Sequence, residues 1–250
     1  MPILDDILGV IPARWGSKRF PGKPLAILKG KPLIQWEWER AVRVKGVDSW
    51  LVATDDHRIF DAVIGFGGEA VMTSPDRASG TDRIAEVLHG RSEAVIVNIQ
   101  GDEPMLDPAS VTAMIEALQA DNKAGVGTAA FPIRSVEELD DPNVVKVVFN
   151  LHNRALIFSR SPIPYIRDQE DRQVWIARGV HYRHLGVYAY RREALMEFSK
   201  WDPGPLELAE NLEQLRFLEH GVLIACALVD HGSPGVDTPN DLGRLEKIIQ

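Results

Sequence analysis

Residues 94–100, AVIVNIQ, form an almost unbroken apolar run, and residues 101–108, GDEPMLDP, follow it with glycine, acids and prolines. An apolar run of this length, without alternation, is typical of a strand that is covered on both faces of a sheet. Asp107 and Pro108 then suit the cap and first turn of a helix, because Asp accepts from free backbone N–H groups and proline fits the first turn. This strand, turn and helix predict an α/β fold.

The same alternation recurs through the first half of the chain. Strands are predicted at 7–13, 50–53, 69–72, 94–99 and 126–131, and helices at 32–45, 57–66, 81–89 and 108–120. Alternating strands and helices favour a mainly parallel sheet with helices on both faces. The sequence therefore predicts a layered α/β arrangement.

The second half has a different pattern. The runs VVKVVFN (144–150), ALIFSR (155–160) and HLGVYAYR (184–191) predict β-rich, antiparallel structure, and the charged residues 160–183 predict a long loop or lid. Leucines at helical spacing predict one helix over 206–220. A buried strand at 222–229 and a terminal helix starting at Thr238 and Pro239 complete the prediction. We expect a single domain over 1–250, with halves at about 1–131 and 132–250.

Composition limits the possible functions. The chain has 28 Lys and Arg against 36 Asp and Glu, a formal net charge of −8, which argues against a general nucleic-acid-binding surface. A single cysteine, Cys226, excludes a disulfide framework and a cysteine-rich zinc site. Residues 3–11 are apolar but too short for a signal peptide, and no membrane association is expected. We expect a cytoplasmic protein.

The charge is unevenly distributed. Residues 7–36 contain no acid but hold six of the 28 cationic residues, which are Arg14, Lys18, Arg19, Lys23, Lys29 and Lys31. The loop after the first strand leaves the carboxyl end of the sheet, where ligands bind in open α/β folds. Gly16 and Gly22 let the backbone approach a ligand, and the arginines and lysines attract anions. The loop is predicted to bind a polyphosphate.

This loop matches neither of the two commonest nucleotide-binding motifs. Five residues rather than four separate Gly16 from Gly22, and Pro24 stands where a Walker A loop has the Ser or Thr that holds magnesium. The G-x-G-x-x-G dinucleotide motif is also missing. A solvated surface loop with ordinary turns stays open as the alternative.

Two aspartates follow predicted buried strands. Asp102 comes after the 94–99 strand, and Asp237 lies in PGVDTPNDL after the last strand. Magnesium takes one or two protein carboxylates together with substrate phosphates. Both residues are therefore candidate metal ligands, while a turn acid for Asp102 and a helix cap for Asp237 remain alternatives.

Eight motifs carry a resemblance to a known family. They are IPARWGSKRFPGKPL (11–25), VATDD (52–56), SGTDRIAEV (79–87), VNIQGDEPML (97–106), FSRSPIPY (158–165), RHLGVYAY (183–190), LEQLRFLEHG (212–221) and GVDTPNDL (235–242). Their order is that of the 3-deoxy-manno-octulosonate cytidylyltransferases, and the sequence resembles this family over nearly its whole length.

The resemblance implies an activity. Such enzymes join CTP and 3-deoxy-manno-octulosonate (Kdo) to give CMP-Kdo and pyrophosphate, with Mg²⁺, for lipopolysaccharide synthesis. The implied fold is a three-layer α/β/α nucleotide-diphospho-sugar transferase-like fold with a β-rich second half. The first half would bind the nucleotide, and the second half would bind the sugar and form a homodimer.

The resemblance also implies roles for individual residues. The nucleotide-side residues are Ala13, Arg14, Ser17, Arg19, Lys23, Ser79, Gly80 and Gln100. The sugar-side residues are Arg160, His184, Tyr188, Glu213 and Gln214. Lys23, Asp102 and Asp237 would be catalytic, and the two aspartates would be the metal ligands.

Residue types alone leave ordinary structural roles open on the sugar side. Arg160 suits a carboxylate because its planar guanidinium binds one bidentately, but it also suits an exposed loop. His184 could be a satisfied histidine at a strand edge, Tyr188 could be core, and Glu213 could be solvated.

Three other functions also stay open. The first is a cytidylyltransferase for 8-amino-Kdo or another sugar acid, and the second transfers a nucleotide to a sugar phosphate, which would need a second phosphate site. The third is a non-catalytic nucleotide-binding relative, which the pair of metal-type carboxylates disfavours. The absence of G-x-S-x-G, H-E-x-x-H and cysteine-nucleophile motifs agrees with direct displacement on phosphorus.

Overall fold

The computed structural model describes residues 6–16, 20–77, 79–101, 103–233, 235–236 and 238–249. The chain divides into two compact units. The first unit comprises Met1–Thr112, Tyr190–Leu195 and Ser233–Gln250, and the second comprises Ala113–Ala189 and Met196–Gly232. The expectation of one domain with halves at 1–131 and 132–250 stays a prediction.

A parallel sheet forms the centre of the first unit. Its strands are β1 (Ile7–Ala13), β4 (Ser49–Thr54), β5 (Ala70–Met72) and β6 (Val95–Ile99). They lie in the order β6-β1-β4-β5, and β1 pairs in parallel with both β4 and β6. Leu8, Val10, Ile96 and Val97 are completely buried. All four strands were predicted from their apolar runs.

Helices and a small hairpin complete the first unit. They are a 3-10 helix (Lys23–Leu25), β2 (Ile27–Leu28), β3 (Lys31–Pro32), α1 (Leu33–Ala41), α2 (His57–Gly65), α3 (Gly80–Val87) and α10 (Pro239–Ile248). The predicted start of α10 is confirmed, because Thr238 accepts a hydrogen bond from the Asp241 N–H and Asp241 bonds back to the Thr238 N–H. Two helices have residues in both units, α4 (Pro108–Ala120) and α7 (Arg192–Phe198).

The second unit contains the predicted antiparallel structure. Its strands are β7 (Ala124–Pro132), β8 (Lys146–Phe149), β9 (Ala155–Ser159), β11 (Leu223–Leu228) and most of β10 (Tyr182–Arg191). β8 pairs antiparallel with β9 and with β10, whereas β11 pairs parallel with β7. The helices are α5 (Val136–Asp140), α6 (Arg172–Ala177), α8 (Pro205–Glu210) and α9 (Gln214–Glu219).

The prediction of one continuous helix over 206–220 is wrong. The chain forms α8 and α9 instead, and Asn211 between them has a left-handed backbone with φ of 53°. A right-handed helix cannot continue through a left-handed residue, and asparagine tolerates this conformation well. Leu208 is 70% exposed, so it does not share a buried stripe with Leu215, which is completely buried.

The segment 160–183 is more structured than a plain loop. It contains α6, and Trp175 in that helix is buried in an apolar cluster with Ile133, Leu139 and Val144. The Trp175 indole N–H donates to the Gln169 carbonyl oxygen at 2.9 Å. Burial of one large aromatic side chain stabilises a segment whose charged composition alone predicts a loop.

In the described part of the chain, every helix is too short or too polar to span a membrane.

Candidate active site

The N-terminal basic loop is closed by a contact between its two ends. The Gly22 N–H donates to the Trp15 carbonyl oxygen at 3.0 Å. Gly22 has a left-handed φ of 70°, and a Cβ there would lie 2.9 Å from the Trp15 ring. Only glycine satisfies both conditions. The Arg58 guanidinium stacks on the Trp15 ring, 3.3 Å from the ring centroid. Arg14, at the start of the loop, is exposed.

Lys23 follows this turn directly as the first residue of the 3-10 helix. Its Nζ donates to the Val236 carbonyl oxygen at 3.0 Å. Lys23 therefore lies beside the segment that leads into Asp237. An ammonium group with three donors can hold this carbonyl and still bind a phosphate oxygen.

The end of β1, the end of β6 and the start of α3 meet in the first unit. A Cβ on Gly80 would lie 3.4 Å from the Pro12 ring and 3.9 Å from Gln100 Oε1. Ala13 is the last residue of β1 and is 3% exposed. The structure thus brings Ala13, Gly80 and Gln100 together, as the prediction for a base and ribose site requires.

Ser79 has a structural task at the same place. Its Oγ accepts from the Asp82 N–H at 3.1 Å and donates to Asp82 Oδ2 at 3.0 Å. The hydroxyl therefore caps α3, and any bond from a nucleotide would go to its remaining lone pair.

A buried ion pair anchors α3 to the sheet. Arg83 is 3% exposed, and its Nη2 donates to Asp55 Oδ2 at 2.7 Å, just beyond β4. Its Nη1 also donates to the Thr73 hydroxyl. The motifs VATDD and SGTDRIAEV contain Asp55 and Arg83, but the contact between these two residues was not predicted. Buried charge-assisted bonds of this kind fix the position of a helix start.

Four predicted site residues, Ser17, Arg19, Asp102 and Asp237, lie outside the described residues. Their neighbours are described: Ser233 Oγ donates to Glu103 Oε2 at 3.1 Å, and Met105 packs against the apolar cluster that contains Val236. The segments that carry the two aspartates are therefore adjacent in the first unit. Across the described ranges, no three His, Cys, Asp or Glu side chains cluster as a metal site.

On the sugar side, Arg160 is held by main-chain carbonyls. Its Nε donates to the Glu210 carbonyl at 2.7 Å, its Nη1 to Pro142 at 2.9 Å and its Nη2 to Asn211 at 3.4 Å. A guanidinium has five N–H donors. Within the described ranges, one N–H on each terminal nitrogen is left for a further acceptor, so Arg160 can still bind a carboxylate through two nitrogens.

His184 is buried and neutral. Its Nε2 lies 2.9 Å from Thr128 Oγ1, and that hydroxyl also lies 2.8 Å from the Val187 carbonyl oxygen. The hydroxyl has one proton and gives it to the carbonyl, so His184 Nε2–H donates to Thr128 and Nδ1 is an acceptor. Burial, helped by the Arg183 charge, lowers the pKa of His184 to about 3. His184 is thus a buried residue whose tautomer is fixed by the Thr128 hydroxyl.

The remaining sugar-side residues lie in or near the core of the second unit. Tyr188 is 8% exposed, with its ring 5.4 Å from the His184 ring. Gln214 is 5% exposed at the start of α9, and Glu213 directly precedes that helix with a half-buried side chain. Because its side chain is half-buried, Glu213 is not simply solvated.

Two residues near Arg160 were missed by the sequence analysis. Glu210 accepts from the Arg160 N–H at 2.9 Å, and Lys146 Nζ donates to the Arg160 carbonyl at 2.9 Å. Lys146 interrupts the apolar run VVKVVF, and this was the one available signal, since a lysine inside a buried strand is rare.

Comparison with known proteins identifies the family of this chain. A family model described as cytidylyltransferase matches residues 8–224. A 3-deoxy-manno-octulosonate cytidylyltransferase from Geobacter sulfurreducens is 49% identical over 248 residues, covering 97% of this chain and 99% of that protein. An 8-amino-3,8-dideoxy-manno-octulosonate cytidylyltransferase from Shewanella sediminis is 50% identical over 241 residues, covering 95% of this chain and 96% of that protein.

A solved structure gives the same result for the fold. CMP:2-keto-3-deoxy-manno-octonic acid synthetase complexed with CTP matches with a TM-score of 0.90 and 44% identity, covering 97% of this chain and 98% of that chain. The predicted nucleotide-diphospho-sugar transferase-like fold, with its mostly parallel central sheet, is confirmed. The chain belongs to the cytidylyltransferase family and is a nucleotidyltransferase.

Proposed function

We propose that this protein activates Kdo with CTP, giving CMP-Kdo and pyrophosphate for lipopolysaccharide synthesis. The observation that carries the proposal is the match, over nearly the full length of both chains, to the synthetase structure that was solved with CTP. The 49% identity to a relative named for the Kdo reaction points to the same substrate.

The reaction is an in-line displacement at phosphorus. The anomeric hydroxyl oxygen of Kdo forms a bond to the α-phosphorus of CTP, the bond from that phosphorus to the bridging oxygen breaks, pyrophosphate leaves, and the hydroxyl proton passes to water. Both substrates are anions, so their mutual repulsion must be offset. Positioning and fixed positive charge supply most of the catalysis in such transfers.

The nucleotide-side residues supply that charge. Arg14, Arg19 and Lys23 bind the triphosphate and take up the negative charge that develops on the leaving pyrophosphate. Support comes from Lys23, whose contact with Val236 keeps its ammonium group at the base of the basic loop. Ala13, Gly80 and Gln100, which lie together in the first unit, bind the base and ribose.

The sugar-side residues recognise the sugar acid. The two N–H groups left on Arg160 bind the Kdo carboxylate. Neutral His184, with Tyr188, Glu213 and Gln214, binds sugar hydroxyls, and the His184 Nδ1 acceptor is kept in place by the Thr128 bond. A charged histidine is not required for this recognition.

We propose Mg²⁺ as the cofactor, bound by Asp102 and Asp237. Carboxylate oxygens are the ligands that Mg²⁺ prefers, and the adjacency of the segments around Glu103 and Val236 supports a shared site. Bound Mg²⁺ would neutralise phosphate charge and lower the pKa of the attacking hydroxyl.

A second candidate substrate is 8-amino-Kdo, because one relative at 50% identity is named for it. The two sugars differ at C8, by a hydroxyl or an amino group. A site that hydrogen-bonds one of these groups rejects the other strongly only if a buried partner is left unpaired.

Assembly and location are also proposals. A homodimer through the second unit is supported by leucines that it leaves exposed, with Leu156 at 56% and Leu208 at 70%. The cytoplasm is the proposed location, because a chain with a single cysteine suits a reducing compartment. Light scattering of the purified protein tests the dimer.

Pyrophosphate release tests the function. The protein with CTP and Mg²⁺ is assayed against Kdo, 8-amino-Kdo, N-acetylneuraminate and sugar 1-phosphates. Release with Kdo, and its loss with EDTA, is expected. Release only with sugar 1-phosphates would refute the proposal, and preference for 8-amino-Kdo would reassign the substrate.

A further inference from the structure

Arg160 is held on both sides of its main chain. Its N–H donates to Glu210 Oε2 and its carbonyl accepts from Lys146 Nζ, both at 2.9 Å. Its Nε donates back to the Glu210 main-chain carbonyl at 2.7 Å. Glu210 therefore contacts Arg160 through both its carboxylate and its backbone.

The Glu210 carboxylate also joins two separate segments. Its Oε1 accepts from Ser159 Oγ, the last residue of β9, at 2.6 Å. Glu210 itself is the last residue of α8, and left-handed Asn211 follows it and turns the chain toward Gln214. One carboxylate thus connects the segment of Arg160 with the turn that leads to Glu213 and Gln214.

Lys146 is an unusual residue for its position. Its side chain is completely buried, and its Nζ donates to the Asp141 carbonyl at 2.7 Å as well as to Arg160. Burial lowers the pKa of Lys146, while the Asp141, Asp140 and Glu210 charges oppose this change. An apolar side chain of similar size would avoid the unfavourable burial of an ammonium group. Unlike a methionine at this position, Lys146 provides a charged donor to the Arg160 carbonyl.

We infer that Glu210 and Lys146 are positioning residues for sugar-acid recognition. They fix the plane of the Arg160 guanidinium and the α8–α9 turn in one orientation, so that the two remaining Arg160 N–H groups point in a set direction. The inference rests on the proposed function, in which Arg160 and Gln214 bind the sugar acid. A bidentate contact with a carboxylate depends steeply on the direction of those two N–H groups.

The test separates sugar affinity from turnover. Glu210→Gln keeps the side-chain size but replaces one acceptor oxygen with an NH₂ donor, so the remaining oxygen can accept from Ser159 or from the Arg160 N–H but not from both. We expect the KM for the sugar acid to rise about tenfold, the effect of losing one hydrogen bond to a charged group, with the KM for CTP changed less than about twofold. Lys146→Met is expected to act in the same direction.

A milder variant guards against misfolding. Ser159→Ala removes only the bond to Glu210 Oε1, so a smaller rise in the sugar KM, about threefold, is expected. Combined with Glu210→Gln it should add little, because both changes break the same connection. Glu210→Asp, which retains the charge, should restore part of the sugar affinity.

Two controls identify a merely structural effect. Leu118→Ala removes a completely buried side chain of α4 and destabilises the protein without touching Arg160; its sugar KM should stay at the wild-type value. Hydrogen exchange of the Arg160 and Ser161 amides reports directly how firmly the Glu210 bonds hold this segment. Glu210→Gln should speed the exchange of both amides at least about tenfold.

The outcomes are distinct. Faster exchange together with a raised sugar KM supports the inference. Faster exchange with an unchanged sugar KM, or a KM that rises equally in Leu118→Ala, overturns it. Failure of the proposed function is recognised earlier, because wild-type protein would then release no pyrophosphate with any sugar acid.

Discussion

Lys23 Nζ donates a hydrogen bond to the Val236 carbonyl oxygen, across 213 positions of sequence. The bond joins the turn after β1 to the segment before α10, both in the first unit. A cation of the basic loop is thereby held next to the residue that precedes a candidate metal ligand. This contact, and others among the nucleotide-side and sugar-side residues, lead to four predictions.

Replacing Lys23 with methionine should lower kcat/KM for CTP by on the order of a hundredfold, because the variant loses a fixed positive charge at the triphosphate. Steady-state pyrophosphate release at varied CTP measures this. Lys29→Met is the matched control, since Lys29 is exposed in the same acid-free stretch. Equal activity of the two variants would exclude a specific role for Lys23.

Asp102→Asn and Asp237→Asn should each reduce turnover by on the order of a hundredfold or more if these carboxylates bind the catalytic metal. A Mg²⁺ titration should also show a higher half-saturating concentration in each variant. Asp107→Asn serves as the control, because Asp107 Oδ1 accepts from the Ala109 N–H at the start of α4 and asparagine caps equally well. Near-normal turnover of Asp102→Asn would remove it from the mechanism.

Alanine substitutions at Gly22 and Gly30 distinguish the effect of backbone strain from the effect of the contact that closes the basic loop. Both have positive φ, of 70° and 81°, but a Cβ meets the Trp15 ring only at Gly22. Each change to alanine should cost about 1 kcal/mol of stability through the left-handed backbone. Only Gly22→Ala should also weaken CTP binding, measured by calorimetry. Similar CTP affinities in the two variants would argue against a role for the Trp15 contact.

His184 should make the protein less stable in mild acid. Its pKa is about 3 in the folded protein and about 6.5 in an unfolded chain, so between these values the unfolded state binds more protons. The contribution of His184 is therefore complete above about pH 6.5 and is lost as the pH falls toward 3, by roughly 1 kcal/mol per unit. Urea unfolding at pH 7 and pH 5 measures it.

The control for this pH dependence is His184→Gln, which keeps a donor for Thr128 but does not titrate. Its stability should change less between pH 7 and pH 5 than that of the wild-type protein. An identical pH dependence in both proteins would show that His184 is not responsible.

Local sequence patterns were sufficient for most of the fold. β1 and α4 have the predicted bounds, because the apolar run of β1 ends before the charged Arg14 and α4 begins at Pro108, directly after the cap residue Asp107. The predicted helix over 206–220 was wrong, since leucine spacing does not reveal that Asn211 adopts a left-handed backbone. The role of Trp175 was also hidden, because its partners Ile133, Leu139 and Val144 lie far away in sequence.

The candidate site divides in the same way. Motif order was enough to select the family. The roles of the individual site residues, which the resemblance implied, stay predictions. Motif order could not show that three Arg160 N–H groups donate to main-chain carbonyls, or that His184 is a neutral donor to Thr128.

The sequence by itself determined the central strands and most helices of the first unit, and which family's chemistry the side chains can perform, because these depend on local periodicity and residue type. Only the tertiary structure decided which donor meets which acceptor. Arg160 and Glu210 are 50 positions apart, and Lys23 and Val236 are 213 apart. Such contacts depend on how the whole chain packs, which no short stretch of sequence specifies.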